Sequence, residues 1–173
     1  DLASWGGLDH AYTQLSADDQ VRCVVLRGAG TQAFAPGADI AEFDTDRATA
    51  AQAKAYDEIM RSALGRVYDC PHPTIAMIHG PCVGGGLELA AMCDLRLSGE
   101  SGRFGVPISR ISVVMAYPEI AAIQRLIGPA RALEMLLEAR IIDAREALAW
   151  GMVNRVVADD ALEAEVQATT RRI

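Results

Sequence analysis

The residues best suited to chemistry lie in the run Pro81-Cys82-Val83-Gly84-Gly85-Gly86-Leu87-Glu88-Leu89. An apolar segment feeds three glycines, and a helical pattern starts directly after them. Glycine lets the main chain approach a ligand closely and adopt dihedrals closed to other residues. A helix start leaves N–H groups without intrahelical acceptors and carries the positive end of the dipole. Together these features make a site for negative charge. The same run also reads as a tight turn in which the glycines only permit strand–helix packing. It is not a P-loop, because no Gly-Lys-Ser/Thr follows, and the G-x-G-x-x-G dinucleotide fingerprint is missing. Glu88 stands three residues after Gly85, in the first turn of the same helix. In an apolar pocket its pKa would rise, as a general acid requires. A carboxylate there can equally do no more than complement the dipole.

A second run, Phe34-Ala35-Pro36-Gly37-Ala38-Asp39-Ile40, also follows a strand pattern and opens a helical turn. Gly37-Ala38 can present a further backbone N–H, although an ordinary capped turn explains the run equally well. Other side chains offer less. His10, His72 and His79 are scattered, and His79 reads as a packed histidine at a strand end. Histidines and cysteines lack metal-ligand spacing, so no metal is expected. No G-x-S-x-G elbow supports a serine hydrolase.

The elements that must position these residues can be read from hydrophobic periodicity. Residues 2–15 carry a helical pattern, closed by the polar turn Ser16-Ala17-Asp18-Asp19. Val21 to Leu26 reads as a buried strand. Ile40 to Phe43 reads as a short helical turn with Asp39 as its N-cap. A long helix is expected from about Thr49 to Tyr68, with Ala55, Ile59, Ala63 and Val67 on its buried face. Thr74 to Ile78 is a second buried strand, Leu87 to Cys93 a buried helix, and Leu95 to Ser98 a third strand. Pro118 suits a first helical turn, and Gly128 suits the stop of that helix. Further helices are expected at 130–139, after the capping pattern Asp143 to Glu146, and at 162–173, with a last strand over 153–157. Strands alternating with helices predict an α/β fold with a largely parallel sheet. We read residues 1–173 as one domain, with residues 118–173 as a helical tail.

Composition narrows the function classes. The chain has 173 residues, 51% of them hydrophobic, and a formal net charge of −7. That acidity argues against nucleic acid as a partner. No apolar run reaches the roughly 18 residues of a membrane span, and no signal peptide is visible. Cys23, Cys70, Cys82 and Cys93 form no C-x-x-C pair. They read as reduced thiols of a cytoplasmic protein.

Taken in order, the two glycine-containing runs resemble the enoyl-CoA hydratase/isomerase family, the crotonase superfamily. The matching stretches are V-x-x-V-V-L-x-G-x-G-x-x-A-F-x-x-G-A-D-I and I-x-G-x-x-x-G-G-G-L-E-L-A-x-x-C-D. Arg103-Phe104-Gly105-Val106-Pro107, Gln124 to Gly128 and the run Ala144 to Val157 also fit. The resemblance implies a spiral of ββα units with a C-terminal helical region, assembled as trimers or dimers of trimers. It implies strands before Asp1 that this sequence lacks. It implies no bound cofactor, with coenzyme A entering as part of an acyl-CoA or enoyl-CoA substrate. The thioester oxygen would sit between the N–H groups of Ala38 and Gly85, an oxyanion hole. Ala35, Pro36, Ala38, Asp39, Ile40, Gly84, Gly85, Pro107 and Ile108 would line the substrate site, and Glu88 would be catalytic.

One position departs from the pattern. Hydratases of that family place a second glutamate one residue after the proline of Phe-Gly-x-Pro, and here that residue is Ile108. Isoleucine transfers no proton. The expected reaction is water addition to a 2-enoyl-CoA. Isomerisation, decarboxylation, thioester hydrolysis and non-catalytic acyl-CoA binding remain as alternatives. Glu119, in the atypical Tyr117-Pro118-Glu119, reads first as a residue that complements its own helix start, with reach into the pocket from a rebuilt loop as the lesser reading.

Overall fold

Each recurring unit of the chain sends one strand to each of two sheets and then a helix across them. The computed structural model describes residues 1–39, 42, 44–110 and 114–173. Helix α1 (Leu2–Ser16) precedes strand β1 (Val24–Arg27) and helix α2 (Ala50–Tyr68). Two complete units follow. The first is β2 (Thr74–Ile78), β3 (Pro81–Val83) and α3 (Gly85–Met92). The second is β4 (Leu95–Gly99), β5 (Arg103–Gly105) and α4 (Tyr117–Glu138). The tail adds β6 (Ile142–Asp143), α5 (Ala144–Trp150), β7 (Arg155–Val157) and α6 (Leu162–Thr170).

One sheet has the order β1-β2-β4-β7 and is parallel throughout. The other has the order β3-β5-β6, with β3 and β5 parallel and β6 antiparallel. Ala35 pairs with Cys82 as a single parallel bridge. The segment after β1 thus holds the place of a second-sheet strand, and β1, Ala35 and α2 make a rudimentary first unit. The expected ββα spiral is what the chain forms. Its tail is not purely helical, because β6 and β7 each extend a sheet.

Every residue of β2 is buried, as its apolar run predicts for an inner parallel strand. Ala76 and Ile78 belong to the main core with Leu87, Ala90 and Phe104. Ile75 and Met77 face the other way, against Leu97 of β4 and Leu162 and Val166 of α6. Burying one such side chain contributes about 1.5–3 kcal/mol.

Three expectations need correction. Among the described residues the strand at Val24 stands at the end of its sheet and is only partly buried: Val24 is buried, but Val25 is 36% exposed. Its β-branched residues suit a strand in either position. Helix α2 begins as expected, with a Thr49–Gln52 capping box. Its buried face, however, is Tyr56, Ala63, Leu64 and Val67, while Ala55 and Ile59 point outward. The large aromatic ring rather than the aliphatic spacing selects the inner face. The short strands β3, β5 and β6 were not foreseen. Of the helical turn read over residues 40–43, three residues lie outside the described ones.

Helix α4 is broken at Gly128, whose φ of 77° and ψ of 162° lie outside the helical region. Pro129 follows, so the two expected helices meet at a sharp bend. Asp143 caps α5 by accepting from the Glu146 N–H at 2.8 Å.

A buried arginine fixes the far end of α3. Arg96, 5% exposed, donates from Nη1 to the carbonyls of Ala90 (3.3 Å) and Cys93 (2.5 Å). Its Nη2 donates to Asp94 and its Nε to Met152, at 3.2 and 2.8 Å. A cation here satisfies carbonyls at a helix C-terminus that would otherwise be orphaned. Burial lowers its pKa from the usual arginine value, and the nearby Cys93 and Asp94 oppose that shift. We expect Arg96→Met, which keeps the bulk and removes the donors, to destabilise the protein by about 3 kcal/mol, since several buried acceptors lose their partners. Urea unfolding would measure it; a loss under about 1 kcal/mol would mean that water replaces the guanidinium.

Candidate active site

The two glycine-containing loops are bound to each other through the main chain. The N–H groups of Phe34 and Ala35 both donate to the Pro81 carbonyl, at 3.1 and 3.0 Å. Val83 N–H returns a bond to the Ala35 carbonyl at 3.0 Å. Close contact here demands glycine at position 86: a Cβ on Gly86 would stand 2.3 Å from the Ala35 oxygen. A third loop joins through Gly84, whose N–H donates to the Gly105 carbonyl at 2.8 Å. That loop leads on to Pro107 and Ile108.

Gly84 turns the chain from β3 into α3 with φ 56° and ψ −126°, a conformation that L side chains rarely adopt. Leu87 and Glu88 donate back to its carbonyl at 2.9 and 3.1 Å. The N–H groups of Gly85 and Gly86 are the first two of α3, which no intrahelical carbonyl can satisfy.

The loops open on a cavity of about 470 Å³. Among the residues expected at the site, Pro36, Ala38, Gly84, Gly85, Glu88, Pro107 and Ile108 all line it. Ala35 and Asp39 do not. Ala35 stands behind the wall as the residue that ties the loops, and Asp39 is exposed, with its carbonyl accepting from Glu42 N–H at 3.2 Å. Ile40 lies outside the described residues.

Apart from Glu119, held as a lesser reading, sequence reasoning missed the opposite wall, which distant elements supply. Helix α1 contributes Trp5, α2 contributes Asp57, Met60 and Arg61, the approach to α4 contributes Met115 and Ala116, and the first turn of α4 contributes Glu119. The Trp5 ring packs over Gly85, and its Nε1 donates to Tyr56 Oη at 3.2 Å. Tyr56 in turn donates to Glu42 at 3.3 Å. An amphipathic stripe identifies a helix face but gives no sign of which cavity that face borders.

Glu88 is 8% exposed. Burial pushes its pKa up to about 7; the Glu119 and Asp57 charges add to the shift and Arg47 opposes it. Arg47 lies 3.7 Å from Asp57 and stacks over the Tyr56 ring at 4.4 Å. The site therefore joins helix-start N–H donors, a carboxyl that holds a proton near neutrality, and apolar walls. Such a site can stabilise an oxyanion and exchange a proton beside it.

Groups away from the cavity have local roles. His79 is buried, with Nε2 3.2 Å from the Asp159 carbonyl. All four cysteines are free, and burial pushes the Cys93 thiol up to about 12. Among the described residues no His, Cys, Asp and Glu group has metal-site geometry, and no helix is long and apolar enough to cross a membrane.

Comparison with known proteins agrees with this geometry. The enoyl-CoA hydratase/isomerase family model matches residues 6–173. A probable enoyl-CoA hydratase of Mycobacterium leprae is 38% identical over 165 residues, covering 94% of this chain. The chain spans 62% of that relative's length. A mitochondrial Delta(3,5)-Delta(2,4)-dienoyl-CoA isomerase of Dictyostelium discoideum is 30% identical over 157 residues, covering 86% of this chain and 53% of its own. The crystal structure of an enoyl-CoA hydratase/carnithine racemase from Magnetospirillum magneticum superposes with a TM-score of 0.97 at 65% identity, over 99% of this chain and 64% of that one. With the motifs, the ββα spiral and the match along almost its whole length, this chain belongs to the enoyl-CoA hydratase/isomerase family.

Proposed function

We propose that the protein acts on acyl-CoA thioesters, and that its reaction is addition of water to a 2-enoyl-CoA. The observation that carries this reading is the meeting of Ala38, Gly85 and the proton-holding Glu88 on one largely apolar cavity. In the proposed mechanism the thioester oxygen accepts from the N–H groups of Ala38 and Gly85. Negative charge grows on that oxygen as water adds to the β-carbon, and donors already in place stabilise it without reorganising. The α3 dipole adds to the effect. Glu88 supplies or removes a proton beside the same carbons. Coenzyme A enters only as part of the substrate, and no resident cofactor takes part. A homotrimer or hexamer in the cytoplasm completes the reading, in keeping with the family resemblance.

Isomerisation of a double bond is the second reading. Similarity to a dienoyl-CoA isomerase favours it, although isoleucine at 108 supplies no proton carrier for either reaction. Full-length protein given crotonyl-CoA and longer 2-enoyl-CoAs should bleach the enoyl absorbance. Turnover of 3-enoyl-CoAs without hydration would select the second reading. Failure to bind any CoA thioester would overturn both.

A further inference from the structure

We infer that Glu119 is the second acid–base carboxylate of this site, reaching from the first turn of α4 the cavity that Glu88 and Ile108 also line. The inference rests on the acyl-CoA reading above and names a further catalytic residue for it.

Burial, a carboxylate oxygen without a partner among the described residues and a place on the cavity wall support it. Glu119 is 2% exposed, although it sits in the first turn of a helix where a carboxylate normally stays in water. Its Oε2 is buried and has no hydrogen-bond partner among the described residues. A residue that merely complemented the helix would keep its hydration or bond to the helix's own N–H groups. Glu119 instead lines the cavity together with Glu88 and Ile108. It is close enough to Glu88 that its charge is felt there. A buried, unpaired carboxylate is costly to keep, and such a cost is common where a group awaits a substrate or a water.

The break at Gly128 explains how α4 delivers this residue. The first half of α4 is set by Ala122, Ile123 and Ile127, all buried, and it aims its N-terminal turn at the cavity. The second half takes its own direction beyond Pro129. The first half therefore need not follow the path of the tail.

The proton balance is simple. Water gives a proton to the Glu119 carboxylate as its oxygen bonds to the β-carbon. The C=C electron pair moves onto the thioester oxygen. The Glu88 carboxyl then gives its proton to the α-carbon as the enolate returns to a thioester. One water is consumed, and exchange with solvent restores the starting protonation. Arg47, Asp57, Arg61 and Arg110 are the other charged groups on the cavity wall.

The test compares full-length wild type, Glu119→Gln and Glu119→Asp on crotonyl-CoA and on a 3-enoyl-CoA. We expect Glu119→Gln to lose about 10²–10⁴-fold in kcat, with KM within about threefold. Its rate profile should lose the limb that reports the group required in ionised form. Glu119→Asp should recover part of kcat. A residue with only a packing role would change thermal stability and leave the pH profile intact. If wild type is active and Glu119→Gln keeps kcat within about threefold on its substrate, the inference fails while the acyl-CoA reading stands. If wild type binds acyl-CoA but turns over neither substrate, both fail together.

Discussion

Glu88→Gln should abolish most turnover and yet make the protein more stable above pH 7. In the proposed mechanism the catalytic loss follows from removing the proton that Glu88 would supply beside the thioester, worth about 10²–10⁴-fold in kcat. The gain in stability follows from what keeps that proton in place. Burial first, and then the Glu119 and Asp57 charges, raise Glu88 from 4.5 to about 7. Between those values the folded protein holds a proton that the unfolded chain has released. Stability therefore falls as pH rises through this window, and above it a penalty on the order of 3 kcal/mol is fully present. Glutamine is neutral throughout and carries no such penalty. Denaturant unfolding at pH 5 and pH 8 would show it: the variant should match wild type at the lower pH and exceed it at the higher. Equal stability at pH 8 would mean that Glu88 ionises there at no cost, and its assignment as proton holder would fall.

Gly86→Ala should do more harm than one methyl group normally does. The new Cβ would stand 2.3 Å from the Ala35 oxygen and 2.7 Å from the Ala35 Cβ. Ala35 cannot retreat, because Pro81 and Val83 hold it on both sides. The strain must be relieved by moving α3 away from the first loop. Overpacking of this kind costs about 1–3 kcal/mol of stability. In the proposed mechanism, parting Ala38 from Gly85 should also remove one oxyanion donor, on the order of 3 kcal/mol or roughly 10²-fold in kcat/KM. Gly85→Ala is the informative comparison. Its Cβ would meet only the Trp5 ring, at 3.2 Å, and a side chain can yield where a carbonyl cannot. Its stability should stay closer to wild type. Should Gly86→Ala fold and turn over normally, the coupling between the two loops is not what holds the donors together.

Local signals in the sequence located the floor of this site and missed its roof. The strand at Thr74–Ile78, the helix opening at the triple glycine and the stop at Gly128 each carry a strong signal within a few residues. Strands of two or three residues, such as β3, β5 and β6, carry none, because their pairing is decided by neighbours far along the chain. Glu119 misled for a related reason. A carboxylate just after a helix-starting proline has a sufficient local explanation, and nothing local reports that the turn is buried against α3. The face of α2 behaved likewise: Ala55 and Ile59 satisfy the period, but Tyr56 has the larger surface to bury.

The main-chain tie between Ala35 and Val83 has a bearing on heredity. Donors that belong to the peptide backbone are not encoded by any particular codon, and among single substitutions only proline deletes an N–H. The side chains at Pro36, Ala38 and Val83 can thus drift and reshape the cavity without erasing the N–H groups proposed to hold an oxyanion there. Carboxylates enjoy no such protection, since one base change removes them. Diversification of this scaffold should then proceed by relocating acids around a fixed electrophile-binding frame, and an isoleucine at 108 beside a glutamate at 119 is the trace such a relocation would leave.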